Sequence, residues 1–194
     1  MGTNLALLKN KLFFTVQDVA AAKGSGLASA YVLCSRYVQR GYFIRVKRDF
    51  YVHADTWNRY GFLDFLKLAN FLQVPSYISF TTALEYHGLT TQVQRNWYEC
   101  VTTRRSNSFA PLGATFLYHK LNDRLYFGYE RIDGIFVAAP EKAVLDSAYL
   151  EVRGVGATDW DAVSFDKMDK DRIREWIVSF PNQFKRKIAE KCKI

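Results

Sequence analysis

The sequence has little of what metal centres, disulfide frameworks and membrane proteins are made from. Its three cysteines, Cys34, Cys100 and Cys192, are far apart, form no CxxC pair and do not lie at metal-ligand spacing from a histidine. No apolar run approaches the roughly 18 residues of a membrane-spanning helix, and the first ten residues lack a signal-peptide pattern. We therefore expect no structural zinc, no disulfide, no membrane association and a cytoplasmic location.

Signatures of catalysis are also sparse. There is no glycine-rich phosphate loop. His87 directly precedes Gly88, which favours a structural helix end over a catalytic base. Asp133 is followed by Glu141 and Lys142, but these two are adjacent and open a helix, so the spacing of a magnesium-dependent nuclease is missing. We therefore expect a protein that is not an enzyme and that uses no metal and no cofactor.

Positive charge is what the sequence has in excess, and it is concentrated near the N-terminus. The chain has 27 Lys and Arg against 19 Asp and Glu, a formal net charge of +8. Residues 1–56 contain 8 basic and 3 acidic side chains, so 5 of these charges come from this segment. This asymmetry favours an anionic partner such as nucleic acid.

The N-terminal segment has the punctuation of two helices joined by a tight turn. Thr15 is a good N-cap, and Asp18 three residues later can reach back to the free backbone N–H groups. Gly24-Ser25-Gly26 permits the positive φ values that such a turn requires. A second helix is then predicted from about Ala28 to Arg40.

The two faces of this second helix differ in character. Its apolar positions repeat at helical spacing and predict the buried face: Ala30, Leu33, Cys34, Tyr37 and Val38. Its other positions have hydroxyls, an aromatic ring and two arginines without a carboxylate: Ser29, Tyr31, Val32, Ser35, Arg36, Gln39 and Arg40. That composition suits a helix lying in the major groove of DNA.

Two β-rich runs, 42–46 and 50–52, follow and enclose a basic tip, Lys47-Arg48-Asp49, as in a hairpin. Together with the helices they predict a winged helix-turn-helix over residues 1–55 that binds double-stranded DNA. The candidates for reading base edges are Ser29, Tyr31, Val32 and Arg36. The candidates for holding phosphates are Arg40, Arg45, Lys47 and Arg48, with further backbone contacts at Lys23 and Ser25.

Residues 56–194 alternate helical and β-rich segments, which predicts an α+β domain with a small, mostly antiparallel sheet and C-terminal helices. The helices are expected at Gly61–Leu72, at Phe80–His87 with Ser79 as cap, from Pro140, and at Lys170–Phe180 and Asn182–Lys191. The β-rich runs are Trp97–Thr103, Thr115–Leu121 and Tyr126–Ala138 with a turn at Asp133-Gly134, and Arg104–Ser108 is expected to be a solvated loop.

Two segments in this second part carry a family resemblance. SYISFTTALEYHGL (Ser76–Leu89) and AAPEKAVLDSAYL (Ala138–Leu150), placed behind a winged helix, make the chain up to about residue 150 resemble the AbiEi antitoxins of bacterial type IV toxin–antitoxin systems. The resemblance implies autorepression of transcription through Ser29–Arg40 and the Arg45–Arg48 wing. It also implies that the domain from about residue 60 neutralises a nucleotidyltransferase-like toxin of the AbiEii type, with or without direct contact.

Two other functions are compatible with the sequence. The winged helix could bind a protein, because a fold does not fix a function, which would make the chain an interaction adaptor. A DNA-targeted nuclease is the weaker alternative, since the carboxylate spacing is unsuitable. No apolar dimerisation helix is evident, so we expect a monomer in solution that pairs on an inverted-repeat operator.

Overall fold

The computed structural model describes residues 3–194. Its α-helices are α1 (Thr3–Ala6), α2 (Val16–Lys23), α3 (Leu27–Gln39), α4 (Ala54–Trp57), α5 (Phe62–Leu72), α6 (Phe80–Tyr86), α7 (Pro140–Val152), α8 (Lys170–Trp176) and α9 (Asn182–Lys191). Its strands are β1 (Phe43–Lys47), β2 (Phe50–His53), β3 (Ser76–Ile78), β4 (Trp97–Thr102), β5 (Asn107–Phe109), β6 (Thr115–Lys120), β7 (Tyr129–Ile132) and β8 (Ile135–Ala138).

These elements confirm the α+β class. A small antiparallel sheet pairs β1 with β2, and a six-stranded sheet has the order β5-β6-β4-β3-β8-β7. Within the larger sheet, β3 pairs antiparallel with β4 and parallel with β8, while β7 and β8 form an antiparallel hairpin. Among residues 3–194, no helix has both the length and the apolar character needed to cross a bilayer.

The chain divides into two compact units. Unit 1 runs to Leu68 and includes Phe109–Thr115, and unit 2 comprises Ala69–Ser108 and Phe116–Ile194. The sequence placed the domain boundary near Asp55, but this residue lies inside unit 1. The Asp55 carboxylate pairs with the Lys9 ammonium group at 2.6 Å, and the Thr56 hydroxyl donates to the Lys9 carbonyl at 2.7 Å. These bonds attach α4 to the first residues of the unit.

Local sequence signals account for the two helices that follow one another in unit 1. The Thr15 hydroxyl accepts from the Asp18 N–H at 3.3 Å, and the Asp18 carboxylate accepts from the Thr15 N–H at 2.8 Å, which is a complete capping box for α2. Gly24 ends α2 with φ at +61°. The predicted apolar face of α3 packs into the core of the unit, where Ala30 and Cys34 are fully buried beside Phe14 and Phe43.

The β1–β2 hairpin closes unit 1. Phe43 is paired with His53 and Arg45 with Tyr51, and the register shifts between Arg45 and Lys47. Asp49 adopts φ of +58° in the tip, a conformation that aspartate tolerates better than most residues. The predicted hairpin is therefore present, and its tip turns at Arg48-Asp49.

Most residues of the six-stranded sheet belong to unit 2, and its β7–β8 turn follows the prediction. Asp133 and Gly134 both have positive φ, which is the conformation of a two-residue hairpin loop. On β6, Phe116 and Tyr118 are fully buried, and the Tyr118 hydroxyl donates to the Ala69 carbonyl of α5 at 2.5 Å. This contact attaches the end of α5 to the sheet.

Two strands of this sheet were not expected from the sequence. Both β3 and β5 have three residues, too few to show an alternating pattern. The expected loop Arg104–Ser108 therefore runs into β5 at Asn107. At the C-terminus, α8 ends at Trp176, and the rest of the predicted helix continues as a 3-10 turn, Ile177–Ser179.

Candidate nucleic-acid interface

The α3 helix presents the predicted recognition face to solvent. Four candidates, Ser29, Tyr31, Val32 and Arg36, are exposed, and Arg40 is exposed at the C-cap of the helix. The apolar residues of the opposite face are buried or half-buried. The helical periodicity in the sequence thus predicted correctly which side of α3 packs and which side is available to a ligand.

A concavity of about 400 Å³ runs along the start of this face. It is lined by Lys23, Ser25, Ser29, Val32, Leu33 and Arg36. The end of α2 and the turn after it therefore contribute Lys23 and Ser25, the two residues expected to contact the DNA backbone. They lie next to three of the expected base readers. No carboxylate lines this concavity, so its charged side chains are both cations.

Tyr31 lies against the hairpin, a contact that the sequence did not reveal. The neighbouring Asp49 carboxylate raises the pKa of Tyr31 above the usual value of 10.0. The carboxylate of Asp49 also lies 3.7 Å from the Arg48 guanidinium. The face of α3 has no acid of its own, but the hairpin brings one to its edge.

The three cations assigned to the wing have different surroundings. Arg45 and Arg48 are exposed, as a phosphate contact requires. Lys47 is half-buried, and its ammonium group lies 5.2 Å from the ring centre of Phe50 and 6.0 Å from that of Phe109. Burial lowers the pKa of Lys47. The structure therefore favours Arg45 and Arg48 over Lys47 as phosphate contacts.

In unit 2, the histidine and the glutamate weighed as catalytic groups both make structural contacts. A ring nitrogen of His87 donates to the Ala138 carbonyl at 2.8 Å, and its backbone N–H donates to Ala83 at the end of α6. The Glu141 carboxylate accepts from the backbone N–H of Asp169 at 3.0 Å. Among residues 3–194, no group of three or more potential metal ligands comes together.

Unit 2 also encloses an ion pair that the sequence pattern did not reveal. The Lys142 ammonium group donates to the Asp146 carboxylate and, at 3.0 Å, to the Tyr77 hydroxyl. The Asp146 carboxylate accepts from the hydroxyls of Tyr77 and Ser79 at 3.0 and 2.8 Å. Ser79 is at the N-cap position of α6, as expected. Its hydroxyl does not cap the helix, because it donates to Asp146 on α7. Both charged side chains are fully enclosed, so this network is structural.

These elements define an α+β protein with a basic N-terminal unit of helices and a hairpin. No protein-family model matches the sequence, and a comparison with curated protein sequences finds no match. Among solved structures, the chain is similar to the crystal structure of the RV2827C protein from Mycobacterium tuberculosis. The TM-score is 0.63 at 11% sequence identity, and the match covers 98% of this chain and 74% of that one. At this identity the similarity shows a shared fold.

Proposed function

We propose that the protein is a DNA-binding transcriptional regulator whose unit 1 is a winged helix-turn-helix. The observation that carries the proposal is the exposed face of α3, which has hydroxyls and arginines, has no carboxylate of its own and borders a concavity with two cations. A helix of this composition can lie in the major groove, where base edges are read and phosphates surround it on both sides.

The start of α3 adds a second feature that suits DNA. Gly26 is the N-cap and has no side chain that could bond to the first backbone N–H groups of the helix. A phosphate oxygen can accept from such groups, and the helix dipole favours its negative charge. Lys23 and Ser25 lie beside this end of α3 and would hold the same phosphate.

The side chains divide into two roles under this proposal. Arg36 has the fork of donors that pairs with a guanine edge, and Ser29 and Val32 lie on the same side of α3 for hydroxyl and methyl contacts. Arg40, Arg45 and Arg48 are placed to neutralise phosphates, which fixes the position of the protein without reading the sequence.

The test is binding to a labelled duplex of the upstream region of its own gene, at two salt concentrations, by the wild type and the Arg36→Ala/Arg40→Ala variant. We expect the wild type to prefer this duplex over random DNA. The variant should lose that preference. A plot of the logarithm of its binding constant against the logarithm of the salt concentration should have a slope that is shallower by about 0.9 for each phosphate contact removed.

The matched control is Arg174→Ala/Arg186→Ala, which removes two positive charges from exposed side chains of α8 and α9. It should retain specific binding, because these residues lie outside unit 1. Weak and equal binding by the wild type and both variants would refute the proposal and favour the protein-interaction adaptor. Cleavage of the duplex in the presence of Mg²⁺ would favour the nuclease.

The family resemblance of the two motifs in unit 2 extends the proposal to an antitoxin that neutralises a nucleotidyltransferase-like toxin. If neutralisation belongs to unit 2, the Arg36→Ala/Arg40→Ala variant should still protect cells that express such a toxin from the same operon, although it no longer represses the promoter. Growth and promoter activity are measured in the same strain. Loss of both activities together would show that neutralisation depends on DNA binding.

A further inference from the structure

A second cavity, of about 350 Å³, lies in unit 2, and the proposed function makes no use of it. It forms where β4 and β6 meet the start of α6, the end of α7 and the segment 155–158. Trp97 and Glu99 on β4 face it, as do Leu117 and His119 on β6, because side chains two residues apart lie on the same side of a strand. The cavity is therefore an opening on one face of the central sheet.

Two hydrogen-bond acceptors in this cavity have no donor. The Glu99 side chain is 15% exposed, and its carboxylate Oε1 lies 3.9 Å from Nε2 of the His119 ring. That separation is too long for a hydrogen bond. The Gln94 side-chain oxygen is buried and accepts no hydrogen bond from the described part of the chain. The buried, unpaired Gln94 oxygen and the partly exposed Glu99 carboxylate can both accept hydrogen bonds from a ligand that has donors.

Aromatic rings border these acceptors. The Trp97 side chain is 39% exposed, although it is large and apolar. Phe80 is buried and packs edge-on against His119, with ring centres 5.0 Å apart. Its φ of +57° is rare for an aromatic residue, and such strained positions are concentrated at binding sites. The cavity thus offers ring surfaces to a flat group.

The charge of the cavity is opposite to that of the chain as a whole. No lysine or arginine lines it, although the chain has 27 of them. The backbone N–H of the lining residue Gln94 donates to a second carboxylate, that of Glu85, at 3.4 Å. A cationic ligand would therefore meet negative charge here and no competing cation among the lining residues.

We propose that this cavity binds the guanidinium group of an arginine side chain of a partner protein. A guanidinium group is planar, positively charged and has five N–H donors and no acceptor, so it can pair with the Glu99 carboxylate and the Gln94 oxygen together. Its flat faces can stack on Trp97. An ammonium group lacks this shape, and a nucleobase would bring acceptors that these two oxygens cannot satisfy. The site lies in unit 2 and does not depend on DNA binding by unit 1.

The test uses the full-length ¹⁵N-labelled protein and Nα-acetyl-arginine methylamide as the probe. The readout is the NMR signal of the Trp97 indole N–H, which is assigned with a Trp97→Phe variant. We expect a saturable shift with the arginine probe and clearly weaker binding of the lysine analogue. The citrulline analogue, which is flat but uncharged, should not saturate. Glu99→Gln should weaken binding of the arginine probe about tenfold, because it removes the charge-assisted bonds.

The matched control is Glu130→Gln, which makes the same change at an exposed position of β7. It should bind the arginine probe like the wild type. The spectra of both variants also show whether each is folded, so a loss of binding can be separated from a loss of structure. No saturable shift, equal shifts with arginine and citrulline probes, or a preference for cytidine would overturn the proposal. DNA binding by Glu99→Gln should remain unchanged, which separates this site from the proposed function.

Discussion

At the scale of single residues, the enclosed Lys142–Asp146 pair has the largest expected effect on stability. Burial raises the pKa of the Asp146 carboxyl and lowers the pKa of the Lys142 amine. Lys142→Met leaves the carboxylate buried with two hydroxyl partners and no countercharge. We expect this change to lower the free energy of unfolding by about 3–5 kcal/mol. Urea unfolding followed by circular dichroism measures it.

A second variant shows whether the missing charge is the cause. Lys142→Met/Asp146→Asn removes both charges and should be at least about 1 kcal/mol more stable than Lys142→Met alone. The comparison for an exposed pair is Arg186→Met, which breaks the contact with Glu190 on α9 and should change stability by less than about 1 kcal/mol. If Lys142→Met were as mild as Arg186→Met, the pair would not stabilise unit 2.

At the scale of elements, the capping box of α2 predicts a dependence on pH. Burial acts to raise the pKa of Asp18, but bonds from Lys11 and Thr15 outweigh it, and the pKa is lowered from the usual 3.8. A lowered pKa in the folded state means that this carboxylate stabilises the protein above pH 3.8 and ceases to do so as the pH falls through the folded value. Asp18→Asn should therefore reduce stability by about 1 kcal/mol at neutral pH.

The difference in stability between the wild type and Asp18→Asn should shrink as the pH falls below 3.8, because the wild-type carboxyl then also loses its charge. Thermal unfolding of both proteins between pH 7 and pH 3 measures it. Asp161→Asn is the control, because its side chain is fully exposed, and it should stay within about 0.5 kcal/mol of the wild type. If the loss of stability in Asp18→Asn were the same at every pH, the charge of the Asp18 carboxylate would not be what stabilises the α2 cap.

Elements were predictable from sequence where the signal lies within a few residues. Thr15 and Asp18 cap α2 locally, and Asp133-Gly134 marks the β7–β8 turn, so both were found. Contacts between distant segments were missed: the hydroxyl of Ser79 bonds to α7, 67 residues away. For the same reason the sequence located the exposed face of α3 but not the contact of Tyr31 with the hairpin.

At the scale of the whole molecule, the three cysteines report on the two units separately. Cys34 lies in unit 1, and Cys100 and Cys192 lie in unit 2. All three are fully buried, and burial raises their pKa, to about 11 for Cys34 and about 12 for Cys192. We expect no labelling by a thiol reagent at pH 8 while the protein is folded, because the thiolate is the reactive form. Labelling in urea, located by mass spectrometry, then gives an unfolding midpoint for each site.

Two substitutions make the separation of the units testable. Lys142→Met should move the midpoints of Cys100 and Cys192 together to lower urea and leave that of Cys34 in place, because the buried pair belongs to unit 2. Thr15→Ala removes the α2 cap, which contributes about 1 kcal/mol, and should move the midpoint of Cys34 alone. Unit 1 has an apolar cluster of its own, from Leu5 to Tyr51, that can sustain cooperative unfolding without unit 2. If either substitution moved all three midpoints equally, the chain would unfold as one cooperative body.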